Sequence, residues 1–486
     1  MNTLTIAWIA LPMFVGFSIY LLPKLDRFLA LGVAIASTAY GLWLFFVEAQ
    51  LGQPVTLNFL DSFGVTLMVD SLSGFFILTN ALVTAAVVIY CWTSGKTAFF
   101  YTQVIILHGS VNATFICADF ISLYVALEVI SIAAFLLIAY PRTNRSIWVA
   151  LRYLFVSNTA MLFYLVGAVL VYQANQSFAF SGLANAPPEA QALIFLGLLT
   201  KGGIFVSGLW LPLTHSESET PVSALLSGVV IKAGIFPLVR FALLLEEIDP
   251  IVRIFGVGTA LLGVGYAVFE KDAKRMLAFH TISQLGFVLA APEVGGFYAL
   301  THGLVKSALF LIVGTLPSRN LKELKHMPLR TPIWIALVVA SFSISGFPLL
   351  SGFGAKVLTM KNLLPWQVVG MNIAAFGTAI SFAKFIFLPH ESGTQSLEAK
   401  GTMRPGFWPA ILLLLGGLVV ANGVYYEAYT VGNIAKPLIT IALGWLAYLL
   451  IFQRSILKLP RLLEEFDHLI GVMSLMLVLL FWAVVT

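Results

Sequence analysis

The sequence predicts an all-α protein that crosses a membrane about 14 to 16 times. The first observation is composition, since 59% of the 486 residues are hydrophobic, 10% are charged and the mean hydropathy is +0.96. The second is that apolar segments long enough to span a bilayer follow one another along the chain. The third is that lysine and arginine are concentrated in alternate loops. A polytopic membrane protein is therefore expected.

The apolar segments form two sets of eight along the chain. In the first half they run over residues 4–22, 28–47, 66–92, 97–118, 119–140, 148–172, 191–213 and 221–245. In the second half they run over residues 251–269, 275–291, 296–316, 332–358, 363–388, 407–425, 434–452 and 468–485. The loops between them are too short for a separate soluble domain. Any chemistry is therefore expected within the membrane.

Basic residues test this count, because one missed or false segment would shift every later loop to the wrong side. One set of alternate loops carries Lys24, Arg27, Lys96, Arg142, Arg145, Lys271, Lys274, Arg275, Arg319, Lys322, Lys325, Arg330, Lys400, Arg404, Arg454, Lys458 and Arg461. The opposite loops carry Arg240, Arg253, Lys361 and Lys436. The first set is therefore predicted to be cytoplasmic, with both termini on the other side.

Two lysines lie near the midpoints of neighbouring apolar segments, Lys201 in 191–213 and Lys232 in 221–245. A central lysine has about 10 residues, or roughly 15 Å, between its amine and either interface, so it cannot easily reach water. Helix breakers follow each lysine, the pair Gly202–Gly203 in the first segment and Gly234 with Pro237 in the second. We expect these breakers to free backbone carbonyls beside each amine.

Five ionisable residues lie deep in predicted segments, namely Glu128, Lys201, Lys232, Lys306 and Lys356. Four charged lysines would cost roughly 10 to 14 kcal/mol, which is comparable to the stability of a whole protein. Desolvation and repulsion between like charges both favour the neutral amine. Lysines of this kind can gain and lose protons at physiological pH, so a proton relay is predicted, with Glu128 holding one amine protonated until another charge competes.

Polar residues at helical spacing extend this set. His302 and Lys306 are four residues apart, so both project from one face of a helix, and the same spacing relates His280 to Gln284. His215 is a further possible relay residue. Residues near segment ends, which are Lys384, Asp119 and Arg152, are predicted to reach the interface, and His108 is predicted to be an interior imidazole held by hydrogen bonds.

Four deep lysines against one carboxylate disfavour sodium, which needs a cage of oxygen ligands, and favour protons as the ion that this chain carries. No haem-ligand pair, cysteine cluster or nucleotide motif is present, so no cofactor, metal or catalytic residue is predicted. A membrane-embedded transferase would need carboxylates near an interface, which the excess of buried lysine disfavours. Redox chemistry, if any, would belong to partner subunits.

The chain resembles the antiporter-like subunits shared by Mrp-type multisubunit cation/proton antiporters and respiratory complex I, from Val69 to Pro389. The resemblance rests on VDSLSGFF, LYVALE, TKGGIF with WLPLTH, PVSALLSGVVIKAG, KRMLAFHTISQLGF, THGLVKSALF and SGFPLLSGFGAK. It implies two inverted repeats of five helices, each with a broken helix. It divides the chain into N-terminal helices (1–96), two half-channels (97–245 and 251–388) and C-terminal helices (407–486).

The same resemblance implies roles for the deep residues. Glu128 and Lys201 would form the charge pair of the first half, Lys232 the bridge, and Lys306 with Lys356 the continuation to the far exit. A lysine at 356 is similar to the Mrp D subunit, whereas the complex I subunit of similar length usually has glutamate. The last two segments exceed the family's usual fourteen helices, His280 replaces a small hydroxyl residue, and Val206 replaces a proline.

The resemblance favours a proton-translocating subunit of a cation (Na⁺)/proton antiporter. The alternative is a pump subunit of a complex I type quinone oxidoreductase. In either case the expected partners are other membrane subunits and the lipid bilayer, with sodium bound elsewhere in the assembly and no nucleic acid. The expected location is a bacterial plasma membrane, with an organellar membrane as the alternative.

Overall fold

A computed structural model describes residues 2–51, 53–59, 65–391, 403–453, 457 and 459–485. The helices of the first half are α1 Asn2–Leu21, α2 Asp26–Leu51, α3 Ser71–Tyr90, α4 Ala98–Thr114, α5 Phe120–Ile138, α6 Asn144–Asn175, α7 Pro188–Lys201, α8 Leu211–Glu217, α9 Thr220–Leu225 and α10 Lys232–Leu244. Those of the second half are α11 Asp249–Phe269, α12 Ala273–Ala290, α13 Gly295–Val313, α14 Leu321–Leu324, α15 Thr331–Ser345, α16 Ser351–Lys361, α17 Gln367–Ile386, α18 Phe407–Val424, α19 Val431–Ala447 and α20 Phe466–Val485.

Two small strand pairs complete the described fold. Strands β1 Val55–Asn58 and β2 Thr66–Val69 are antiparallel, and β3 Leu329–Arg330 pairs in parallel with β4 His390–Glu391. The predicted segment 66–92 therefore begins as a strand. Its helix starts only at Ser71, because the Asp70 side chain accepts a hydrogen bond from the Ser73 amide (2.9 Å) and caps it.

The membrane-spanning prediction is confirmed. Thirteen helices among the described residues are long and apolar enough to cross a bilayer. The three other predicted segments are α4, which has 17 residues, α12, which carries basic and polar side chains, and the broken pair α15–α16. Each predicted segment thus corresponds to a helix or to a broken helix, and the chain is a multi-pass integral membrane protein.

Ion pairs show that the lysine-rich and arginine-rich loops share one side of the molecule, which we call the basic face. Lys96 pairs with Glu219 (2.6 Å), Arg145 with Glu217 (3.2 Å), and Arg319 with both Asp272 (3.0 Å) and Glu217 (3.6 Å). The remaining loops form the opposite face. Lys400, Arg454 and Lys458, which the prediction also assigned to the basic loops, lie outside the described residues.

Three of the membrane-spanning segments are interrupted near their middles in the described part of the chain. The first break separates α7 from α8 at Gly203, whose φ of +67° favours glycine, and the second separates α15 from α16 at Gly346, with φ of +83°. The third is a π-helical turn, Leu226–Val230, between α9 and α10. The prediction that Gly234 and Pro237 would break this segment is wrong, because α10 continues through both and the irregular turn precedes Lys232.

The centre of the molecule is formed by α9–α10 and α13. The membrane windows that contain them, Thr220–Leu244 and Pro292–Val313, are both 100% buried, whereas the window of α19 is 17% buried. Helices α13 and α9–α10 pack directly on each other, and α12 packs on α13. This central layer carries Lys232, His302 and Lys306, so the fold places them far from lipid.

Candidate functional site

Lys201 is the last residue of α7 and lies where the helix breaks. Its side chain is buried, with 3% exposed, and its amine donates hydrogen bonds to the hydroxyls of Ser131 on α5 and Ser157 on α6, the latter at 2.7 Å. The two hydroxyls are 3.0 Å apart, and the amine lies 5.8 Å from the centre of the Tyr153 ring. Three helices therefore supply the surroundings of this one amine.

Glu128 lies on α5 one turn before Ser131 and is half-buried. No ion pair within 4.0 Å is formed by Glu128 with the described residues, and its buried Oε1 lacks a protein hydrogen-bond partner. Lys201 is the charged neighbour that acts on it electrostatically. The two predicted partners are therefore close enough to interact, but they are not in direct contact.

Lys232 is completely buried and directly follows the π-helical turn. Because that turn hydrogen-bonds the Ile231 amide to the Leu226 carbonyl five residues back (3.2 Å), the ladder of backbone bonds is shifted here. The Lys232 amine donates to the carbonyls of Gly228 (2.6 Å) and Ser227 (3.3 Å). A π-turn thus provides the carbonyl oxygens that the sequence suggested a proline would free.

Lys306 is also completely buried, and its amine donates to the backbone carbonyl of Leu277 on α12. The Thr281 hydroxyl donates to the same carbonyl (3.1 Å) and is 2.8 Å from the hydroxyl of Ser227. The Ser227 and Thr281 hydroxyls therefore lie between the backbone carbonyls of Ser227 and Leu277, which accept from the Lys232 and Lys306 amines. Residue patterns could not predict this arrangement, because Ser227 lies five residues before Lys232 and its contact with the amine is made across a π-helical turn.

Of the three buried histidines His215, His280 and His302, the last two have no protein hydrogen-bond partner on either ring nitrogen within the described part of the chain. His302 lines a small cavity of about 10 Å³ together with Gln284, Tyr298 and Ser343. Such a cavity has room for about one water molecule. The structure thus brings His302 and Gln284 together across α12 and α13, a pairing that helical spacing alone could not predict.

The other two histidines have aromatic surroundings. The His280 ring lies 4.7 Å from the Phe382 ring on α17. His280 and Gln284 share one face of α12, but Gln284 lines the small cavity beside His302, whereas His280 packs on an aromatic ring. His215, on α8, lies between the rings of Trp210 (6.3 Å) and Phe310 (6.2 Å). His280 remains a candidate for contact with water, because buried polar atoms in proteins rarely lack a hydrogen-bond partner.

Lys356 lies at the second break. Its amine donates to the carbonyl of Ser345, the last residue of α15 (3.2 Å), and lies 5.3 Å from the Phe287 ring. A Cβ atom at Gly346 would come within 2.8 Å of the Lys356 side chain, so a glycine is needed there for this approach. Lys201, Lys232 and Lys356 therefore all lie where a helix is irregular.

The residues that were predicted to lie near segment ends bond to different groups in the structure. Lys384 donates to the carbonyls of Ala267 (3.0 Å) and Glu270 (2.9 Å) at the end of α11, and Asp119 caps α5 through the Ser122 amide (2.7 Å). Arg240, which the prediction assigned to a loop of the opposite side, lies in α10 and is buried, where it forms an ion pair with Asp70.

Metal-ligating side chains do not cluster in the described residues, since no group of three or more His, Cys, Asp or Glu side chains could hold a metal ion. The two cysteines, Cys91 and Cys117, are free and buried.

Comparison with known proteins relates the chain to two kinds of membrane assembly. Residues 117–381 match the family model described as "NADH:quinone oxidoreductase/Mrp antiporter, TM". The NADH-quinone oxidoreductase subunit N of Desulforudis audaxviator (strain MP104C) is 28% identical over 500 residues, covering 91% of this chain and 99% of the relative. A Staphylococcus aureus (strain JH9) protein named as an antiporter subunit, mnhD2, is 26% identical over 82% of this chain and 88% of its own length.

Two solved structures share the fold. A chain of the membrane-bound sulfane sulfur reductase, an archaeal respiratory membrane complex, superposes with a TM-score of 0.77 at 21% identity and covers 93% of this chain and 100% of its own length. A chain of the Mrp complex from Dietzia sp. DQ12-45-1b gives a TM-score of 0.74 at 19% identity, covering 97% and 100%. Together with the family match over more than half of the sequence, these findings show that the chain belongs to the NADH:quinone oxidoreductase/Mrp antiporter transmembrane family.

Proposed function

We propose that this chain translocates protons as one subunit of a multisubunit cation/proton antiporter. The observation that carries the proposal is the row of buried amines at Lys201, Lys232, Lys306 and Lys356, each bonded to a hydroxyl or a carbonyl where the backbone is irregular or a neighbouring helix approaches. A lysine held in this way has a partner for its charged form, while burial favours its neutral form. The balance between the two lets a proton be taken up and released.

The proposed order of transfer is the one that the family resemblance implies, from Glu128 to Lys356. Glu128 and Lys201 form the first station, in the half-channel 97–245, and the serines between α5 and α6 hold the amine. Lys232 is the bridge, and the hydroxyls of Ser227 and Thr281 lie between it and Lys306. The two amines bond the backbone carbonyls of Ser227 and Leu277, so this pair of hydroxyls serves proton transfer only when an amine turns from its carbonyl toward a hydroxyl.

The second half-channel, 251–388, continues from Lys306. His302 lies four residues before Lys306 on the same face of α13 and opens to the small polar cavity. Lys356 follows at the second break, where α16 runs to the opposite face. The broken helices support inverted halves, because the chain enters α7 from the opposite face and α15 from the basic face.

Sodium would bind elsewhere in the assembly. A sodium ion needs several oxygen ligands, whereas Glu128 is the carboxylate of this row and four amines would repel the cation. Each proton that moves changes the electrostatic potential at the next lysine. A sodium site in another subunit is coupled to this row of lysines through the same potential. The basic face is cytoplasmic by the positive-inside rule, and the membrane is a bacterial plasma membrane. The partners are the other membrane subunits.

The second candidate is the pump subunit of a quinone oxidoreductase, which the 28% identity to subunit N favours. The same proton row would then be driven by electron transfer in partner subunits. Purification of the native assembly separates the two candidates. Flavin or iron–sulfur absorption in the purified assembly would favour the oxidoreductase, and its absence together with sodium-driven proton movement would favour the antiporter.

The proton relay is tested by Lys201→Ala in the complete assembly, assayed in inside-out vesicles as sodium-driven change of internal pH. Lys361→Ala is the matched control, because Lys361 is an exposed lysine at the end of α16. We expect the Lys201 variant to insert and assemble but to lose transport, while the control keeps it. Transport at the normal rate in the Lys201 variant would refute the proposal.

A further inference from the structure

The last two helices do not pack on the same half of the molecule. Helix α19 packs on α17, in the second half, whereas α20 packs on α6, on α7 and on the turn Phe205–Gly208 beside the first break. The chain therefore passes from the second half of the molecule to the first between α19 and α20. We call the described part of this connection before α20, residues 459–465, the strap.

Glu464 is the buried residue of the strap, with 7% of its surface exposed. Both of its carboxylate oxygens accept hydrogen bonds from the Arg275 guanidinium, at 2.7 and 2.8 Å. Its backbone carbonyl accepts a further hydrogen bond from Arg152. Neighbouring charges complete the cluster, since Glu270 pairs with Arg275 (3.1 Å) and with Arg461 of the strap (3.6 Å). One residue thus fastens two different helices.

The second-half partner of Glu464 lies next to the Lys306 site. Arg275 is in the first turn of α12, two residues before Leu277, whose carbonyl holds the Lys306 amine. The same helix supplies Thr281, one turn further on. Any movement of this turn of α12 therefore changes the surroundings of Lys306.

The first-half partner lies next to the Lys201 site. Arg152 on α6 directly precedes Tyr153, the ring beside the Lys201 amine, and is five residues before Ser157, which accepts a hydrogen bond from that amine. One side of this stretch of α6 thus contacts the relay lysine. The other side contacts the C-terminal helix, since Phe155 packs on Phe466 with the ring centres 6.3 Å apart.

We propose that Glu464 is a positioning residue that holds the Lys201 and Lys306 sites in register, by fastening α6 through Arg152 and α12 through Arg275. This inference rests on the proposed function, because it concerns how the two halves of the proton row act together. It gives the appended helix α20 a role, which is to carry the strap. Glu464 itself does not exchange the transported proton.

Glu464→Gln tests the inference in the complete assembly, because it keeps the shape of the side chain and removes the charge that holds Arg275. The matched control is Glu465→Gln, the neighbouring acid, which is exposed. We expect the Glu464 variant to lower the maximal rate of sodium-driven proton movement per assembled complex about threefold to tenfold. The sodium concentration at half-maximal rate stays unchanged, because sodium binds elsewhere.

A purely structural role would reduce the amount of assembled complex but leave the rate per complex unchanged. If Glu464→Gln fails to assemble, because Arg275 is left partly uncompensated, the double variant Glu464→Gln/Arg275→Gln removes both charges. We expect that double variant to assemble and to remain slow. A rate per complex equal to that of the Glu465 control, in either variant, would overturn the inference.

The two proposals fail in distinguishable ways. Loss of transport in Lys201→Ala with a normal rate in Glu464→Gln would leave the proton relay intact and remove only the positioning role. Normal transport in Lys201→Ala would remove both, since no relay would then remain for Glu464 to align.

Discussion

Two buried polar clusters in this protein differ in how completely their hydrogen bonds are formed. In α2–α4, His108 contacts Ser37 (2.8 Å), Thr84 (3.1 Å) and Asn112 (3.0 Å), and Asn80 joins the same network. Among the residues that the structure describes, His108 is the ionisable side chain of this network. In α10, α12 and α13, by contrast, two amines lie near imidazoles that have no protein partner. A network in which every polar group has a partner holds helices together. Ionisable side chains that lack protein hydrogen-bond partners are instead suited to proton movement.

The largest effect on transport is expected from the charged cluster. Lys232→Ala and Lys306→Ala should each lower proton-coupled transport about a hundredfold or more, because each removes a proton-carrying group from a series. Lys384→Ala is the control, since that amine caps the end of α11. Vesicle transport per assembled complex measures the difference. A comparable loss in the Lys384 variant would break the distinction between relay and peripheral lysines.

The hydroxyl connection between Lys232 and Lys306 should have an intermediate effect. Thr281→Val removes the hydroxyl at nearly constant shape and should slow transport about threefold to tenfold, while Thr281→Ser should preserve it. Thr79→Val is the matched control, because the Thr79 hydroxyl bonds the Phe75 carbonyl of its own helix (2.7 Å). Equal rates in the Thr281 and Thr79 variants would show that protons bypass this connection.

The neutral cluster should respond in stability instead of rate. Asn112→Ala removes one hydrogen-bond partner from Asn80 and one from His108 and should lower the free energy of unfolding by about 1 to 3 kcal/mol. Transport per assembled complex should stay within about twofold of the original. Thermal unfolding in detergent together with vesicle transport checks both parts. A large loss of transport at unchanged stability would place this cluster in the relay.

The smallest effect on transport is expected from Asp70, which caps α3 on the opposite face. Burial raises the pKa of this carboxyl, but hydrogen bonding and charge from Arg240 outweigh it and hold the pKa below its ordinary value. This pair therefore contributes stability that is present above the unfolded pKa, about 3.9, and is lost as the pH falls through the folded value. Melting temperatures measured from pH 7 downward should show this loss.

Asp70→Asn should lack that part of the acid dependence and should transport normally per assembled complex. Asp467→Asn is the control, because Asp467 is exposed in the first turn of α20. An unchanged acid dependence in the Asp70 variant would assign the loss to other carboxyls.

The sequence predicted the membrane topology well, because hydropathy and the distribution of basic residues report directly on burial in lipid. It also located the deep ionisable residues, because a charged side chain in the middle of an apolar segment is energetically unfavourable and therefore rare. Their partners could not be predicted. Ser131 and Ser157, the partners of Lys201, come from two other helices. The contact of Lys232 with the Ser227 carbonyl is made beside a π-turn, which the residue pattern did not predict.

Long-range pairing was the other limit of sequence reasoning. Arg240 was expected in a loop, yet it lies buried in α10, where it pairs with Asp70, 170 residues away in the chain. The position of α20 depends in the same way on Glu464 and Arg275, which are 189 residues apart. Periodicity reports which residues face away from lipid, but it carries no information about which distant charges meet.

The contrast between the two clusters is tested most directly by measuring proton flux with a pH-sensitive dye trapped in vesicles, for His302→Asn and His108→Asn in the same purified assembly. The His302 variant should lose most of the flux at nearly unchanged thermal stability. The His108 variant should lose stability but keep its flux per complex. Equal flux in the two variants, or loss only in the His108 variant, would contradict the assignment of proton movement to the charged central row.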